Sequence, residues 1–402
     1  MCPTTGAQLR NYHLARQLAK TMNVTHIGFA EPASMPRDPI QHGDIALTLV
    51  PKDAPYTLDK LLRGVLGRIP AGILNYQSAA MDAAIEAHLA TKHYDIVQFE
   101  GVELFSYLST IMKSPWRPRS IVWDWHNIES ELMVRYSQHA ATPFHKMYLR
   151  KSAKQLKVLE RDLLANCDLH LVTSERERDY LVQIRSDIQI AVVENGVDVR
   201  YFDSRHSEQL NLSSSRIRNR ILFVGTMDYH PNADGARYFC DEVWPLLHQQ
   251  MPSTIFTIVG RNPPASVLDL ARRQGVEVTG TVADVRPYYQ EAFVVVVPLR
   301  IGGGTRLKIL EAMAAGIPVV STSQGMEGLR VEPGRHLELA DTIEDFSFHV
   351  NSLRRDRLHR ERLSRAGRKL VEDHYDWGAI GTHLTEVYNG QFGFKHNTDS
   401  AM

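Results

Sequence analysis

Residues 293 to 322, FVVVVPLRIGGGTRLKILEAMAAGIPVVST, constrain the fold of this chain more than any other stretch. Phe293 to Val297 is an apolar, β-branched run too short for a globular helix; it fits a strand covered on both faces, and hence a parallel sheet. Pro298 ends that strand. Gly302, Gly303 and Gly304 then supply backbone that takes left-handed angles and lets a ligand come close. Thr305 is the expected N-cap of the next helix, Gly316 and Pro318 its stop, and Ile317 to Ser321 the next buried strand. A glycine loop running from a strand's carboxyl end into a helix N-terminus suits a phosphate or diphosphate, although a tight structural turn uses the same glycines. At about 100° per residue, Leu307, Ile309, Leu310, Met313 and Ala314 share an apolar arc, with Arg306 in its first turn and Glu311 at its edge. Glu311 has two readings on this helix alone: a surface pair with Lys308 at i,i+3, or a ligand contact.

The segment GGGTRLKILEAMAAGIPVVST, followed by Gln324 to Leu329, resembles the donor-site signature of retaining glycosyltransferases of the GT-B fold, family 4 in particular. The resemblance implies an α/β chain of two Rossmann-like, doubly wound domains facing across a cleft. It also implies that Glu311 hydrogen-bonds the ribose of a sugar nucleotide and that the glycine-loop amides hold its diphosphate, which moves the balance on Glu311 toward a ligand. Many members carry a second acid eight residues earlier. Here that position is Gly303, a form some members share, and the donor sugar becomes harder to infer.

At 402 residues the chain suits two α/β domains of ordinary size. Lys plus Arg and Asp plus Glu are 46 each, so no global field favours nucleic acid and any anion site must be local. Cys2, Cys167 and Cys240 are odd in number and far apart, which argues against a disulfide framework and fits a reducing cytoplasm. No run reaches the length of a membrane span, and the N-terminus lacks the apolar core of a signal peptide. The expected location is cytoplasmic, at most peripheral on the inner face of the membrane.

Residues 1–200 read as the acceptor-side Rossmann-like domain. Strand candidates are Val24 to Phe29, Ile45 to Val50, Asp95 to Phe99, Ser120 to Trp125, Leu169 to Thr173 and Ile190 to Val193, separated by helical patterns such as Ala79 to Lys92 and His145 to Ala165. Such alternation implies right-handed crossovers, with ligands at the carboxyl ends of the strands. Family members begin with a short strand, a glycine-bearing loop and a helix carrying an arginine. Gly6 and Arg10 resemble that acceptor-side loop and helix, but the strand is missing. His126-Asn127-Ile128-Glu129 resembles the HN-x-E segment after this strand in related transferases, which puts His126 near donor sugar and acceptor, with Asn127 and Glu129 on the acceptor side. The competing reading of His126 is ordinary packing, as for most of the 18 histidines. Lys146, Arg150, Lys154, Lys157 and Arg161 share one helix face, either solvated or a docking strip for anionic lipid, and Leu61 to Ile73 either dips into a membrane or packs over a loop.

Residues 201–219 read as the linker, following the Asn195-Gly196-Val197-Asp198 turn, which resembles the hinge of these enzymes. Residues 220–375 read as the nucleotide-sugar domain, with strands at Ile221 to Val224, Thr254 to Val259 and Val276 to Val278 ahead of Phe293, and a helix at Asp234 to Trp244. Residues 376–392 resemble the helix that crosses back to the first domain, and 393–402 a tail. By resemblance Gly225 and Thr226 lie near the phosphates, Arg261 follows the next strand, and Val282 meets the nucleobase; Arg306 and Lys308 are candidates to neutralise diphosphate. A surface role fits Arg261 as well. No Asp-x-Asp pair stands at a strand end, so a metal-carried diphosphate is unsupported and neither metal nor cofactor is expected beyond a UDP- or GDP-sugar substrate. The expected reaction is glycosyl transfer with retention to a saccharide or lipid-linked saccharide of an envelope or exopolysaccharide pathway. The rivals are a nucleotide-sugar epimerase and a non-catalytic nucleotide-sugar-binding subunit.

Overall fold

The computed structural model describes residues 5–31, 40–53, 56–140, 142–203, 219–304 and 306–393. Thr305, most of the expected linker and nearly all of the expected tail lie outside the described residues. The chain forms two compact units, residues 195–379 and residues 1–194 together with 380–402.

In the 195–379 unit the valine run is β11 (Ala292–Val297), buried at every residue. It pairs in parallel with β8 (Arg220–Val224) on one side and β12 (Val319–Ser321) on the other. β9 (Ile255–Val259) and β10 (Val276–Gly280) extend the sheet beyond β8, and β13 (Glu338–Leu339) beyond β12, giving the order β10-β9-β8-β11-β12-β13. The first strand of the unit thus lies inside the sheet, and the winding reverses between β8 and β11. That switch point is where two loops leave neighbouring strand ends in opposite directions and open a crevice.

The strand expected from Ile317 starts only at Val319, because the preceding helix (Leu307–Ala314) ends in a Schellman turn. Ile317 N–H reaches the Ala312 carbonyl at 2.8 Å and Gly316 N–H the Met313 carbonyl at 2.9 Å, with Gly316 at φ +71°. The expected Asp234 to Trp244 helix starts earlier, at His230, and widens into a π turn over Phe239–Val243 before Trp244–Gln250 continues it.

Among the described residues the other unit holds two sheets. β1 (Val24–Ala30) pairs in parallel with β3 (Ile45–Pro51), which carries the short antiparallel β2 (Ile40–His42). β4 (Ile96–Glu100), β5 (Ser120–Trp125), β6 (Leu169–Val172) and β7 (Ile190–Val192) form a parallel sheet in that order. Among the described residues no strand precedes the Gly6–Leu18 helix, and β1 and β4 belong to different sheets.

At the carboxyl end of the β8–β9 pair two backbones meet closely. A Cβ built on Gly260 falls 1.7 Å from the Gly225 carbonyl oxygen, which belongs to backbone and cannot swing aside. Gly260→Ala should therefore destabilise the protein by about 1–3 kcal/mol or more, read as a lower urea midpoint at unchanged slope.

Candidate functional site

The crevice at the β8–β11 switch point gathers most of the residues expected to bind the donor. After β8, Gly225 lies against Asn232 and Lys308: a Cβ there would sit 2.7 Å from Asn232 Nδ2 and 2.8 Å from Lys308 Nζ. Asn232 Nδ2 donates to the Thr226 carbonyl at 2.9 Å, and Lys308 Nζ donates to Asn232 Oδ1 at 2.6 Å. The ammonium also stands 4.4 Å above the Phe223 ring. After β11, Gly302 and Gly304 take φ of +123° and +72°, angles that favour glycine, while the loop turns toward the helix. Arg306 is buried beneath that loop and its Nη1 donates to the Gly303 carbonyl.

These contacts decide the two readings of Glu311. Lys308 is 9% exposed and turned to Asn232, so the surface pair is replaced by a buried cation. Glu311 is half-buried and accepts the Tyr289 hydroxyl at 2.9 Å on Oε2. Burial raises the Glu311 carboxyl, with Tyr289 and Lys308 pulling it back. Burial lowers the Lys308 ammonium to about 7, helped by Arg306. The residue before the helix is Arg306, whose side chain makes no capping bond; Thr305, the expected cap, lies outside the described residues. Among the described residues no side chain caps the first N–H groups of the helix, which suits an anion. Arg261 is half-buried, its Nε has no partner among the described residues and its carbonyl accepts from Met227 N–H at 2.9 Å; Val282 packs on the edge of the core.

In the other unit a second polar cluster stands at the ends of β4 and β5. Arg10, 1% exposed, grips both oxygens of Asp124 at 2.9 Å and donates to the Glu194 carbonyl at 3.2 Å. Placed on the acceptor side by the resemblance, Arg10 spends its guanidinium on buried partners; Gly6 opens its helix behind the Thr5 cap. His126 Nε2 lies 3.1 Å from Glu100 Oε2, and Gln98 Nε2 donates to Glu100 Oε1 at 2.6 Å. Asn11, with its amide nitrogen turned inward, donates to Glu100 Oε2 at 3.0 Å and the Ala7 carbonyl at 2.8 Å. Burial opposes charge on His126, but the Glu100 hydrogen bond and the Asp124 charge outweigh it and raise the imidazole above its usual value. Burial likewise opposes charge on Glu100, and His126 with Arg10 holds that carboxyl below its usual range. The Glu100 and Asp124 carboxylates thus favour the protonated form of His126, whose Nε2 faces Glu100 Oε2. Asn127 Nδ2 donates to Glu129 Oε1 at 3.3 Å, and burial beside Glu103 pushes Glu129 up to about 7. Glu100, Asp124 and His126 are within ligand distance of one another, yet Asp124 is fully engaged by Arg10 and Glu100 by His126 and Gln98.

Two family models match the chain, "Glycosyltransferase Family 4" over residues 4–201 and "Glycosyl transferases group 1" over residues 218–353. The chain belongs to the family 4-like glycosyltransferases. Its fold is GT-B: sucrose-phosphate synthase from Thermosynechococcus elongatus superposes with a TM-score of 0.72 at 20% identity, over 97% of this chain and 94% of that one. Anabaena HepE in complex with UDP and glucose superposes with a TM-score of 0.62 at 14% identity, over 96% of each. An uncharacterized 44.6 kDa protein in the cps region of Klebsiella pneumoniae is 23% identical over 164 residues, or 39% of this chain. That match spans 42% of the relative's own length.

Several residues of this glycosyltransferase's polar clusters were not singled out from sequence. Glu100 directly follows the expected strand Asp95 to Phe99, at a parallel strand's carboxyl end, and that position was the available signal. Asn232, Phe223 and Tyr289 carry none, since each reads as ordinary helix or strand until packing brings it to Lys308 or Glu311. The buried Lys308 of the glycosyltransferase makes a checkable statement about pH. Its folded value of about 7 lies below the unfolded one, so the folded form binds fewer protons between the two and stability rises with pH across that window. Between pH 7 and 9.5 the wild type should gain up to roughly 3 kcal/mol more than Lys308→Met in urea unfolding.

Proposed function

We propose that this glycosyltransferase moves a glycosyl group from a UDP-sugar to an acceptor hydroxyl, with retention and without a metal ion. The observation that carries the reading is the buried Lys308 beside a glycine loop and a helix N-terminus, with Glu311 next to them. A cation held near neutrality by burial gains its full charge when a diphosphate enters, so donor binding and protonation reinforce each other. As the anomeric C–O bond to diphosphate breaks, the loop amides, the helix dipole and Lys308 receive the developing charge. Glu311 keeps Oε1 for ribose hydroxyls while Tyr289 holds Oε2. His126, its pKa raised by Glu100 and Asp124, is assigned to the sugar and acceptor.

UDP is favoured because the HepE structure holds UDP and glucose. A saccharide or lipid-linked saccharide of envelope or exopolysaccharide synthesis is the proposed acceptor, supported by the Klebsiella relative's place in a cps region. The family resemblance supports retention. Work on cytoplasmic nucleotide sugar, with peripheral contact to a membrane, completes the reading; among the described residues no helix is long and apolar enough to cross one.

A thermal-shift screen against UDP, GDP and ADP should show stabilisation by UDP. Glu311→Gln should weaken it about tenfold or more, as expected for a lost hydrogen bond to a charged group, with Tyr289→Phe weaker in effect. If no nucleotide stabilises the wild type, the donor-site reading fails. His126→Asn should leave UDP stabilisation intact and lower transfer about 10²–10³-fold, measured as sugar appearing on acceptor. Interconversion of free UDP-sugar without acceptor would replace transfer by epimerisation.

A further inference from the structure

The helix Leu58–Leu66 is built the wrong way round for a helix that packs on a core. Leu58, Leu61, Leu62, Val65 and Leu66 are 73, 38, 52, 40 and 80% exposed. At about 100° per residue these five share one arc of about 140°, the full apolar face. Its opposite side carries Gly64, the helix's buried residue, which presses on Ala71 so closely that an added Cβ would lie 2.6 Å from the Ala71 nitrogen. The helix is therefore held by its glycine side with its leucines outward.

Gln155 ties this helix to the long helix Pro143–Asn166, its Nε2 donating to the Gly64 and Gly67 carbonyls at 3.0 and 2.7 Å. The exposed side of the long helix repeats the pattern. Phe144, Met147 and Val158 are 73, 62 and 58% exposed, and Arg150, Lys154, Lys157 and Arg161 are exposed among them. Counted from Gln155, Phe144, Val158, Met147, Lys154 and Arg161 fall within about 120° on one side. Lys146, Arg150, Lys151, Lys154, Lys157 and Arg161 are opposed on this helix by Asp162 and by Glu160, whose carboxylate is buried against Ser130. On the leucine helix Asp59 is taken by Arg63 at 3.3 Å.

We propose that these two helix faces dock on the anionic surface of a lipid bilayer, the leucine helix lying in the interfacial plane and the long helix setting its cations against lipid phosphates. A convex leucine face at the chain's surface needs an apolar, deformable partner, and the surrounding excess of cations selects an anionic one. The inference deepens the lipid-linked acceptor reading and rests on it for its purpose, since a transferase held at the bilayer meets such an acceptor at the interface.

The test is co-sedimentation of the full chain with phosphatidylcholine vesicles, with and without phosphatidylglycerol. Binding should need the anionic lipid and weaken with salt. Leu62→Gln/Leu66→Gln should reduce it by about tenfold or more, since two exposed apolar anchors are lost. Arg150→Glu/Lys154→Glu should reduce binding to anionic vesicles by at least about tenfold. All variants should keep the wild-type response to UDP, which shows them folded and separates the two readings. No sedimentation with anionic vesicles while UDP still stabilises the chain would overturn the membrane proposal and leave the donor site standing. A concentration-dependent dimer, abolished by the leucine variant and indifferent to vesicles, would assign the face to a second copy and equally overturn it.

Discussion

Burial of β11 on both faces is the constraint on which the 195–379 unit depends. Six residues of this strand are removed from water between β8 and β12, and each fully buried valine contributes about 1.5–3 kcal/mol relative to exposure. Because neither face nor edge is free, the strand's carboxyl end is fixed, and with it the start of the glycine loop. The polar cluster beside that loop then costs stability that the strand supplies. Lys308 is held from water with a hydrogen bond to Asn232 and the face of Phe223 as its compensation, and Glu311 is raised by burial beside it.

The other unit solves a different problem, favouring charge on a histidine that is largely enclosed. One buried pair, Arg10 with Asp124, removes a carboxylate and a guanidinium from water together, and such a pair is neutral at best as a source of stability. Its value lies in position. Asp124 sits two residues before His126 on the chain, so fixing the acid fixes the end of β5, and its charge adds to that of Glu100 in raising the imidazole pKa. Glu100 in turn is aimed by Gln98, whose own amide oxygen accepts the Tyr388 hydroxyl. A helix N-terminal to the sheet, two strand ends and the helix Trp377–Phe392, which carries Tyr388, thus converge on one imidazole.

Much of this was legible in the sequence because it follows from short-range rules. Eleven expected strands correspond to strands in the structure, since valine-rich runs closed by Gly or Pro leave few alternatives. The two strands not foreseen, β2 and β13, are three and two residues long and carry too little pattern to detect. Glu311, Lys308 and the glycines were legible as a group, but the sense of Lys308 was not. Its burial depends on Asn232 and Phe223, 76 and 85 positions away along the chain, and helical spacing alone makes an i,i+3 pair with Glu311 equally natural. Arg10 illustrates the same limit, for its partner Asp124 is joined to it by the sheet and by nothing local.

The glycine at 303 gains a physical meaning from Arg306. With no side chain at that position, the guanidinium folds back under the loop and donates to the Gly303 carbonyl, and a Cβ on Gly302 would come within 2.8 Å of its Nη2. The arginine therefore works first on backbone, holding the loop in the left-handed turns that free its amides. A carboxylate at 303 would compete with that carbonyl for Arg306 and add a negative charge where a diphosphate is proposed to sit. Without it, the division of labour at the loop is simple: Arg306 shapes the backbone, Lys308 supplies a titrating charge, and the helix N-terminus supplies a fixed one.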